Sequence, residues 1–175
     1  MTIDEAVAAA LGVIERDGIG ALVVDDLVEA DLDALLWSGG VPHVASMRDQ
    51  LARMDDGDVE YLVARAPDGT PVAKAGIDFA AQPGAGTIWQ VVVHERLQGR
   101  GLGTRLLELA EGRIRARRLV RAALSVEVDN PRARVLYERL GYVAEGERQT
   151  GWLAADPDGV VGWHDTTVTD LYRPL

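Results

Sequence analysis

The residues best suited to chemistry lie in a glycine- and arginine-rich stretch behind an apolar run. Val91-Val92-Val93 predicts a strand, Gln98-Gly99-Arg100-Gly101-Leu102-Gly103-Thr104 follows a short polar turn, and apolar residues at helical spacing begin at Leu106. Glycine lets the backbone approach a ligand, and a helix N-terminus presents unpaired N–H groups at the positive end of its dipole. The stretch therefore predicts a binding site for phosphate groups. Three arginines add positive charge around it: Arg96, Arg100 and Arg105.

The spacing of these glycines differs from that of two common phosphate-binding loops. A Walker loop ends in Gly-Lys-Ser/Thr, and a dinucleotide-binding loop places Gly-x-Gly-x-x-Gly directly after its strand. Here the glycines fall at Gly99, Gly101 and Gly103, and five residues separate Val93 from Gly99. The sequence therefore argues against both nucleotide-binding loops.

Two motifs resemble those of the GNAT superfamily of N-acetyltransferases, and they occur in the superfamily's order. Gln98-x-x-Gly101-x-Gly103 is similar to its acetyl-CoA pyrophosphate loop, Gln/Arg-x-x-Gly-x-Gly/Ala. Residues 130–142, NPRARVLYERLGY, are similar to the superfamily's block Asn-x-x-Ala-x-x-Leu-Tyr-x-x-Leu-Gly-Phe/Tyr. The resemblance covers residues 60–145 closely and the flanks only by the order of their elements.

The resemblance implies a fold of the α/β (α+β) class in a single domain, residues 1–175. The GNAT fold has a central mixed, mostly antiparallel sheet with a splayed parallel strand pair and flanking helices. Residues 1–19 would be an N-terminal helical extension that covers a sheet edge or contacts a second subunit, so a homodimer is one expectation. Most of the acceptor pocket would come from residues 29–50 and 145–170, where Trp37 and His43 either line the pocket or serve only in packing.

The resemblance also implies acetyl-CoA as the co-substrate, without a metal. The pantetheine would lie between the splayed strands and pair with the backbone of Val91, Val92 and Val93, where an adjacent N–H can polarise the thioester carbonyl. Asn130 would bond the amide arm and also cap its helix. Six residues would hold the pyrophosphate: Gln98, Gly99, Arg100, Gly101, Gly103 and Thr104.

An acid and a base complete the expected chemistry. Tyr137 matches the superfamily tyrosine that protonates the leaving thiolate, although a core tyrosine is the other interpretation. A phenol pKa of about 10 suits a thiol pKa of about 8.5. Gln90 and Ser125 stand where many members carry a glutamate, and neither accepts a proton at neutral pH. Glu127 lies on the same strand face as Ser125 and is the candidate base. A water chain, a nearby histidine or an acceptor that arrives neutral are the alternatives, and His94 in the turn is interpreted as structural.

Composition narrows the class of protein. The 175 residues carry a net charge of −10 and include no cysteine. The lack of cysteine excludes disulfides, thiolate metal sites and a cysteine nucleophile, and it fits a cytoplasmic enzyme. The acidic balance argues against nucleic acid as a partner. No apolar run approaches the roughly 20 residues of a membrane span, so no membrane association is expected.

The charges are distributed unevenly along the chain. Residues 96–139 hold 11 of the 18 basic residues and 5 of the 28 acidic ones, a balance of +6. The rest of the chain keeps 7 basic and 23 acidic residues, a balance of −16. The basic segment coincides with the expected site of a polyanionic cofactor. The acidic remainder favours a cationic acceptor through long-range attraction, or it serves only solubility.

Three functions are compatible with these features. The favoured one is an N-acetyltransferase for a small-molecule amine, such as a polyamine-, aminoglycoside- or amino-acid-like substrate. The second is a protein acetyltransferase that acts on an N-terminus or a lysine. The third is an acyl-CoA-binding regulator without turnover, which the missing glutamates favour and Tyr137 disfavours.

The remaining patterns predict the order of the elements. A helix capped by Thr2 and ended by Gly18 comes first, and Trp37–Pro42 separates two later helices. The predicted strands are Ala21–Val28, Asp58–Ala66, Val72–Ala80, Thr87–Val93, Leu119–Val128, Tyr142–Trp152 and Thr166–Tyr172, with the last two joined through Asp156–Gly159. The predicted helices after the first are Ala30–Leu36, His43–Met54, Thr104–Arg118 and Pro131–Arg139.

Overall fold

The computed structural model describes residues 2–156 and 158–175. Met1 of the predicted extension and Pro157 of the predicted last turn lie outside the described residues. The described α-helices are α1 (Ile3–Asp17), α2 (Gly40–Asp55), α3 (Leu102–Ala116) and α4 (Pro131–Arg139). The described strands are β1 (Val23–Asp26), β2 (Val59–Arg65), β3 (Pro71–Asp78), β4 (Ala85–Val93), β5 (Arg121–Glu127), β6 (Val143–Ala155) and β7 (Val161–Pro174).

The strands form one sheet in the order β1-β2-β3-β4-β5-β7-β6. Only β4 and β5 run parallel among the described neighbours, and the other pairs are antiparallel. A parallel pair needs a crossover connection, and α3 supplies it between these two strands. The mixed sheet with one parallel pair confirms the predicted fold class.

The helices divide the core into two clusters on opposite faces of the sheet. On the α3 face, α1, α3 and α4 cover side chains such as Leu62, Ile88 and Leu124. On the α2 face, α2 covers Tyr61 and Val63. The alternation of side chains along each strand therefore decides which cluster a residue enters.

The N-terminal helix begins as its sequence predicts. The Thr2 hydroxyl accepts a hydrogen bond from the Glu5 backbone N–H (3.3 Å), and the Glu5 carboxylate accepts one from the Thr2 N–H (2.7 Å). The expected position at a sheet edge is wrong, because Ala6, Val7 and Ala10 are buried in the α3-face core. Small side chains at these positions let the helix approach the sheet closely.

Several boundaries differ from the predicted ones for local reasons. α2 begins at Gly40, because Pro42 fits the first turn of a helix, where a missing N–H breaks no helical bond. The predicted helix Ala30–Leu36 consists of two 3-10 helices, Glu29–Asp31 and Asp33–Ser38. None of the helices in the described ranges is long and apolar enough to cross a membrane.

The β6–β7 hairpin is much longer than predicted. β7 pairs with β5 only between Val168 and Pro174, so residues 149–155 and 161–167 project beyond β5 as a two-stranded extension. We call these residues the hairpin arm. Gly162 interrupts the apolar alternation at the start of β7, which explains why the sequence pattern began this strand late, at Thr166.

Candidate active site

A gap opens within the sheet between its two parallel strands. β4 and β5 are paired from Ala85↔Arg121 to Thr87↔Ala123, and no later pairing joins them along their described lengths. β4 nevertheless continues to Val93 and β5 to Glu127. The backbone of Val91, Val92 and Val93 therefore borders the gap along the edge that faces away from β3. The splayed pair expected from the sequence is confirmed.

A β-bulge distorts β4 beside this gap. Lys74 pairs with Val92 and Gly76 with Trp89, so Gln90 and Val91 together lie opposite one β3 residue. Gln90 has a φ of +48°, in the left-handed region that residues with a side chain rarely adopt. Trp89 and Gln90 both contact the α2 face as a result.

The glycine loop ends at the N-terminus of α3. Gly101, with φ +90°, directly precedes the helix, and no side chain caps it. The Arg105 N–H donates to the Gly101 carbonyl at 3.0 Å, which leaves the N–H groups of Leu102, Gly103 and Thr104 without helical partners. A Cβ at Gly101 would meet nothing within 4 Å, so the loop is open on its outer side. This geometry suits a pyrophosphate, because free N–H groups and the helix dipole both favour an anion.

Gln98 ties the loop to its surroundings. Its Nε2 donates to the Val93 carbonyl (3.0 Å), and its Oε1 accepts from an Arg132 guanidinium nitrogen (3.0 Å). Arg132 thus reaches the loop from the first turn of α4, and the sequence reasoning did not single it out. A basic residue directly after the Asn-Pro start of that helix was the available signal.

The three predicted arginines differ in their surroundings. Arg96 pairs with Asp4 at 3.4 Å and Arg100 with Glu15 at 3.9 Å, so α1 partly neutralises both. These exposed pairs contribute little stability, and a phosphate can compete for either guanidinium. The Nε of Arg105 is buried without a partner among the described residues.

α4 carries the second motif. Asn130 caps the helix, since its Oδ1 accepts from the Ala133 N–H at 3.1 Å. Tyr137 is only 8% exposed and shares an apolar cluster with Leu124 and Val126 of β5. Burial raises the pKa of Tyr137, so the phenol keeps its proton at neutral pH. Its hydroxyl bonds no other described residue, and the core role and the acid role can therefore coexist.

Glu127 is hydrogen-bonded to a histidine that the sequence reasoning did not name. His164 Nε2 lies 2.8 Å from Glu127 Oε1, and the His164 ring packs against Trp152 with 5.2 Å between centroids. The side chains of Glu127 and His164 are 30% and 45% exposed, so a ligand on the α2 face can reach both. His164 belongs to the hairpin arm, whose extent the sequence did not predict.

The neighbouring position on this face of β5, Ser125, contacts a second acidic group. The Ser125 hydroxyl donates to Asp170 at 2.5 Å, and Arg148 donates to the same carboxylate at 2.9 Å. Ser125 and Glu127 are two residues apart, so both groups lie on the α2 face of the sheet. Carboxylates from β5 and β7 therefore line this side of the gap.

A buried polar cluster lies on the α2 face beside the bulge. Lys74 is fully buried, and its Nζ donates to Gln90 Oε1 at 3.1 Å and lies 3.3 Å from Met47 Sδ. The Tyr61 hydroxyl donates to the same Gln90 oxygen. Burial lowers the pKa of Lys74 to about 7, because the charged form loses its hydration. The sequence reasoning missed this cluster.

The two predicted pocket residues lie at the margin of this cluster. Trp37 Nε1 donates to the Pro71 carbonyl (3.3 Å), and its ring centroid is 5.1 Å from that of His94. Burial, and secondarily the charge of Lys74, lowers the pKa of His43 to about 4, so His43 is neutral at pH 7. The backbone N–H of His94 donates to the Val72 carbonyl at 3.0 Å.

Comparison with known proteins agrees with this geometry. The sequence model of the acetyltransferase (GNAT) family matches residues 16–142. A phosphinothricin acetyltransferase from Sinorhizobium meliloti in complex with AcCoA aligns with a TM-score of 0.67 at 19% identity, over 88% of both chains. A spermidine N-acetyltransferase from Vibrio cholerae in complex with CoA and spermine gives 0.65 at 16% identity, over 89% of this chain and 96% of that one.

A protein-modifying enzyme is similar to the same degree. The ribosomal-protein-S18-alanine N-acetyltransferase from Escherichia coli aligns with a TM-score of 0.64 at 20% identity, over 87% of this chain and 93% of that one. These identities establish a shared fold and leave the acceptor open. No curated protein matches the sequence.

Proposed function

The chain belongs to the acetyltransferase (GNAT) family, and we propose that it transfers an acetyl group from acetyl-CoA to a primary amine of a small cationic molecule. The observation that carries this proposal is the gap between β4 and β5, bordered by the Val91–Val93 backbone edge, which pairs with no residue of β5. Acetyl-CoA supplies the activated acetyl group. The pyrophosphate of acetyl-CoA would be held by the free N–H groups of Leu102–Thr104, by Gly99 and Gly101, by the Gln98–Arg132 pair and by Arg100. Asn130 would bond the amide arm.

Two groups would stabilise the transfer on the cofactor side of the gap. A backbone N–H of the β4 bulge would donate to the thioester oxygen as negative charge develops there. Tyr137 would give its proton to the departing thiolate, since the buried phenol is protonated at neutral pH. Tyr137 packs in the α3-face core, which would hold it in place before the acceptor arrives.

The acceptor amine must lose a proton, and we assign that step to the Glu127–His164 pair. The 2.8 Å contact lets His164 take the proton while Glu127 orients the ring and stabilises its charged form, or lets Glu127 take it directly. This pair combines two of the sequence-based alternatives, a carboxylate and a nearby histidine. It lies on the α2 face, opposite the α3 face on which Tyr137 packs.

The charges and rings on the α2 face favour a cationic acceptor. Glu127 supplies a carboxylate, and Trp152 supplies an aromatic surface on which an ammonium or alkyl chain can pack. The −16 balance outside residues 96–139 attracts cations over longer range. A spermidine N-acetyltransferase with the same fold supports a polyamine-like acceptor as the first candidate.

An acetyl-transfer screen tests the proposal. Thiol release from acetyl-CoA is measured against polyamines, aminoglycosides, amino acids and peptides with free N-termini or lysines. We expect turnover with a small polyamine-like substrate and a loss of about 10²–10⁴-fold in kcat for Tyr137→Phe. Turnover with peptides alone would replace the small-molecule acceptor by a protein, and binding of acetyl-CoA with no turnover on any acceptor would indicate a regulator.

The base assignment has a separate measurement. Glu127→Gln preserves the shape of the side chain but removes its charge, and His164→Asn removes the imidazole. We expect each variant to lower kcat/KM and to flatten the acidic limb of the pH profile, while the binding of acetyl-CoA is kept. An unchanged pH profile in both variants would transfer the base role to water.

A further inference from the structure

Lys74 is unusual in both the sequence and the structure. It is the one lysine of the chain, beside 17 arginines. It is also fully buried, on a strand that faces α2. An arginine keeps its charge in proteins, whereas a lysine can release its proton when it is buried. Lysine is therefore the one of these two cationic side chains that can become neutral at a buried position.

Lys74 and Tyr61 donate hydrogen bonds to the same side-chain oxygen of the β-bulge residue Gln90. Gln90 Oε1 accepts from Lys74 Nζ at 3.1 Å and also from the Tyr61 hydroxyl. Gln90 is the residue with φ +48°, a conformation that persists only where the surroundings enforce it. Tyr61 is itself fixed by an edge-on contact with Trp89 (5.3 Å between centroids). These contacts anchor the side chain of the residue whose backbone bends β4 beside the gap.

Gly76, which pairs with Trp89 across the two strands, leaves room for the Trp89 and Tyr61 rings. A Cβ on Gly76 would lie 2.8 Å from Trp89 Nε1 and 3.1 Å from the Tyr61 ring. Any larger residue there would push these rings out of place. The space beside the bulge is therefore filled by Tyr61 and Trp89, and the polar atoms of the cluster meet on Gln90.

We propose that Lys74 and Tyr61 are positioning residues for acetyl transfer, which hold Gln90 in its left-handed conformation and so keep the Gln90–Val91 backbone aligned with the thioester. This inference rests on the proposed function. Lys74 acts through Gln90 and touches no substrate, since it is fully buried beneath α2. A neutral amine and an ammonium group both donate hydrogen bonds, so the clamp operates in either protonation state.

Kinetics with a paired set of variants separates this role from others. Lys74→Met keeps the side-chain volume and removes the donor. We expect kcat to fall by up to about 10²-fold, the order seen when one oxyanion donor is lost, with little change in the KM for acetyl-CoA. The shape of the pH profile should not change. Loss of a limb of the profile in this variant would make Lys74 a base and overturn the clamp.

Variants of Gln90 test directly whether the positive φ at this residue matters for activity. Gln90→Ala and Gln90→Gly both remove the clamped oxygen, but only glycine adopts a positive φ without strain. We expect Gln90→Gly to be more active than Gln90→Ala. Adding Lys74→Met to Gln90→Gly should have no further effect, because the clamp no longer has a role. An equal loss from Lys74→Met in both backgrounds would overturn the proposal.

One control and one structural readout keep the outcomes distinct. Val59→Ala removes a buried side chain from the same cluster but leaves the Lys74, Tyr61 and Gln90 side chains intact, and it should lower stability but not kcat. Crystal structures of the wild type and of the Tyr61→Phe/Lys74→Met double variant report φ of Gln90 independently of turnover. A positive φ retained in the double variant would refute the clamp, and a φ that returns to the β region would support it even if no acceptor amine is found.

Discussion

The burial of Lys74 predicts an unusual dependence of stability on pH. Its pKa falls from 10.5 in the unfolded chain to about 7 in the folded protein. Each pKa unit corresponds to about 1.4 kcal/mol, so the full difference is about 5 kcal/mol. Between pH 7 and 10.5 the unfolded chain keeps a proton that the folded protein has lost. The free energy of unfolding therefore rises with pH across this window, by up to about 1.4 kcal/mol per pH unit.

Lys74→Met provides the matched comparison. Methionine fills similar space without a titratable group, so its stability curve should lack this rise, and the variant should be the more stable protein near pH 7. From pH 7.5 to 9.5 the wild type should gain about 2–3 kcal/mol relative to the variant. The comparison ends at pH 9.5, below the pH range in which tyrosines begin to affect stability. Burial raises the pKa of Tyr61 and of Tyr142, so above about pH 10 stability falls again.

Urea unfolding followed by tryptophan fluorescence measures these free energies. The single lysine allows an independent check, because protein labelled with carbon-13 lysine gives one Cε resonance from a side chain. That resonance should titrate near pH 7 in the folded protein and near 10.5 in urea. Parallel stability curves for the wild type and Lys74→Met, or a folded midpoint above pH 9, would refute the assignment of a neutral buried amine.

Four further outcomes follow from the site. Gly101→Glu places a carboxylate at the N-terminus of α3 and should abolish the rise in melting temperature caused by acetyl-CoA, which at about 100 times its dissociation constant corresponds to about 2.7 kcal/mol; a full shift would contradict the loop assignment. Burial lowers the pKa of His43 to about 4, so the free energy of unfolding should decrease as the pH is lowered from 6.5 to 4. The free energy of unfolding of His43→Gln should depend less on pH in this range. Gln90→Glu sets a carboxylate beside Lys74, and the lysine resonance should then titrate at higher pH. With a cationic acceptor, kcat/KM should fall as salt shortens the Debye length below about 10 Å, whereas salt-independent rates would make the acidic surface a bystander.

The elements that carry the two motifs could be predicted because their signals are local. The cap at Asn130 and the proline after it placed α4 within its observed bounds, and the glycines of the loop placed the start of α3 within two residues. The splayed parallel pair was expected only from the resemblance of the two motifs to those of the GNAT superfamily. Local chemistry of this kind needs no knowledge of distant neighbours.

The acceptor side of the gap depends on contacts between distant parts of the chain. Glu127 and His164 are 37 residues apart in sequence. They meet because β7 pairs with β5 and then continues into the hairpin arm, which carries His164. The length of that arm was missed, since its strands carry glycines and threonines instead of an apolar alternation. The position of α1 was missed for a similar reason. An amphipathic helix needs an apolar surface, and the pattern does not say which surface that is.

The bulge illustrates a different kind of information. Gln90 occupies a conformation that its type disfavours, and Lys74 places a basic group where burial disfavours charge. A folded protein keeps such features only when other contacts enforce them, and they concentrate at functional sites. The two anomalies share one hydrogen bond beside the gap. A packing residue would have served the core equally well, because a methionine fills the space of Lys74 without the penalty of burying an amine. The amine therefore has to be explained by what it bonds, and it bonds the one residue that bends β4 at the gap.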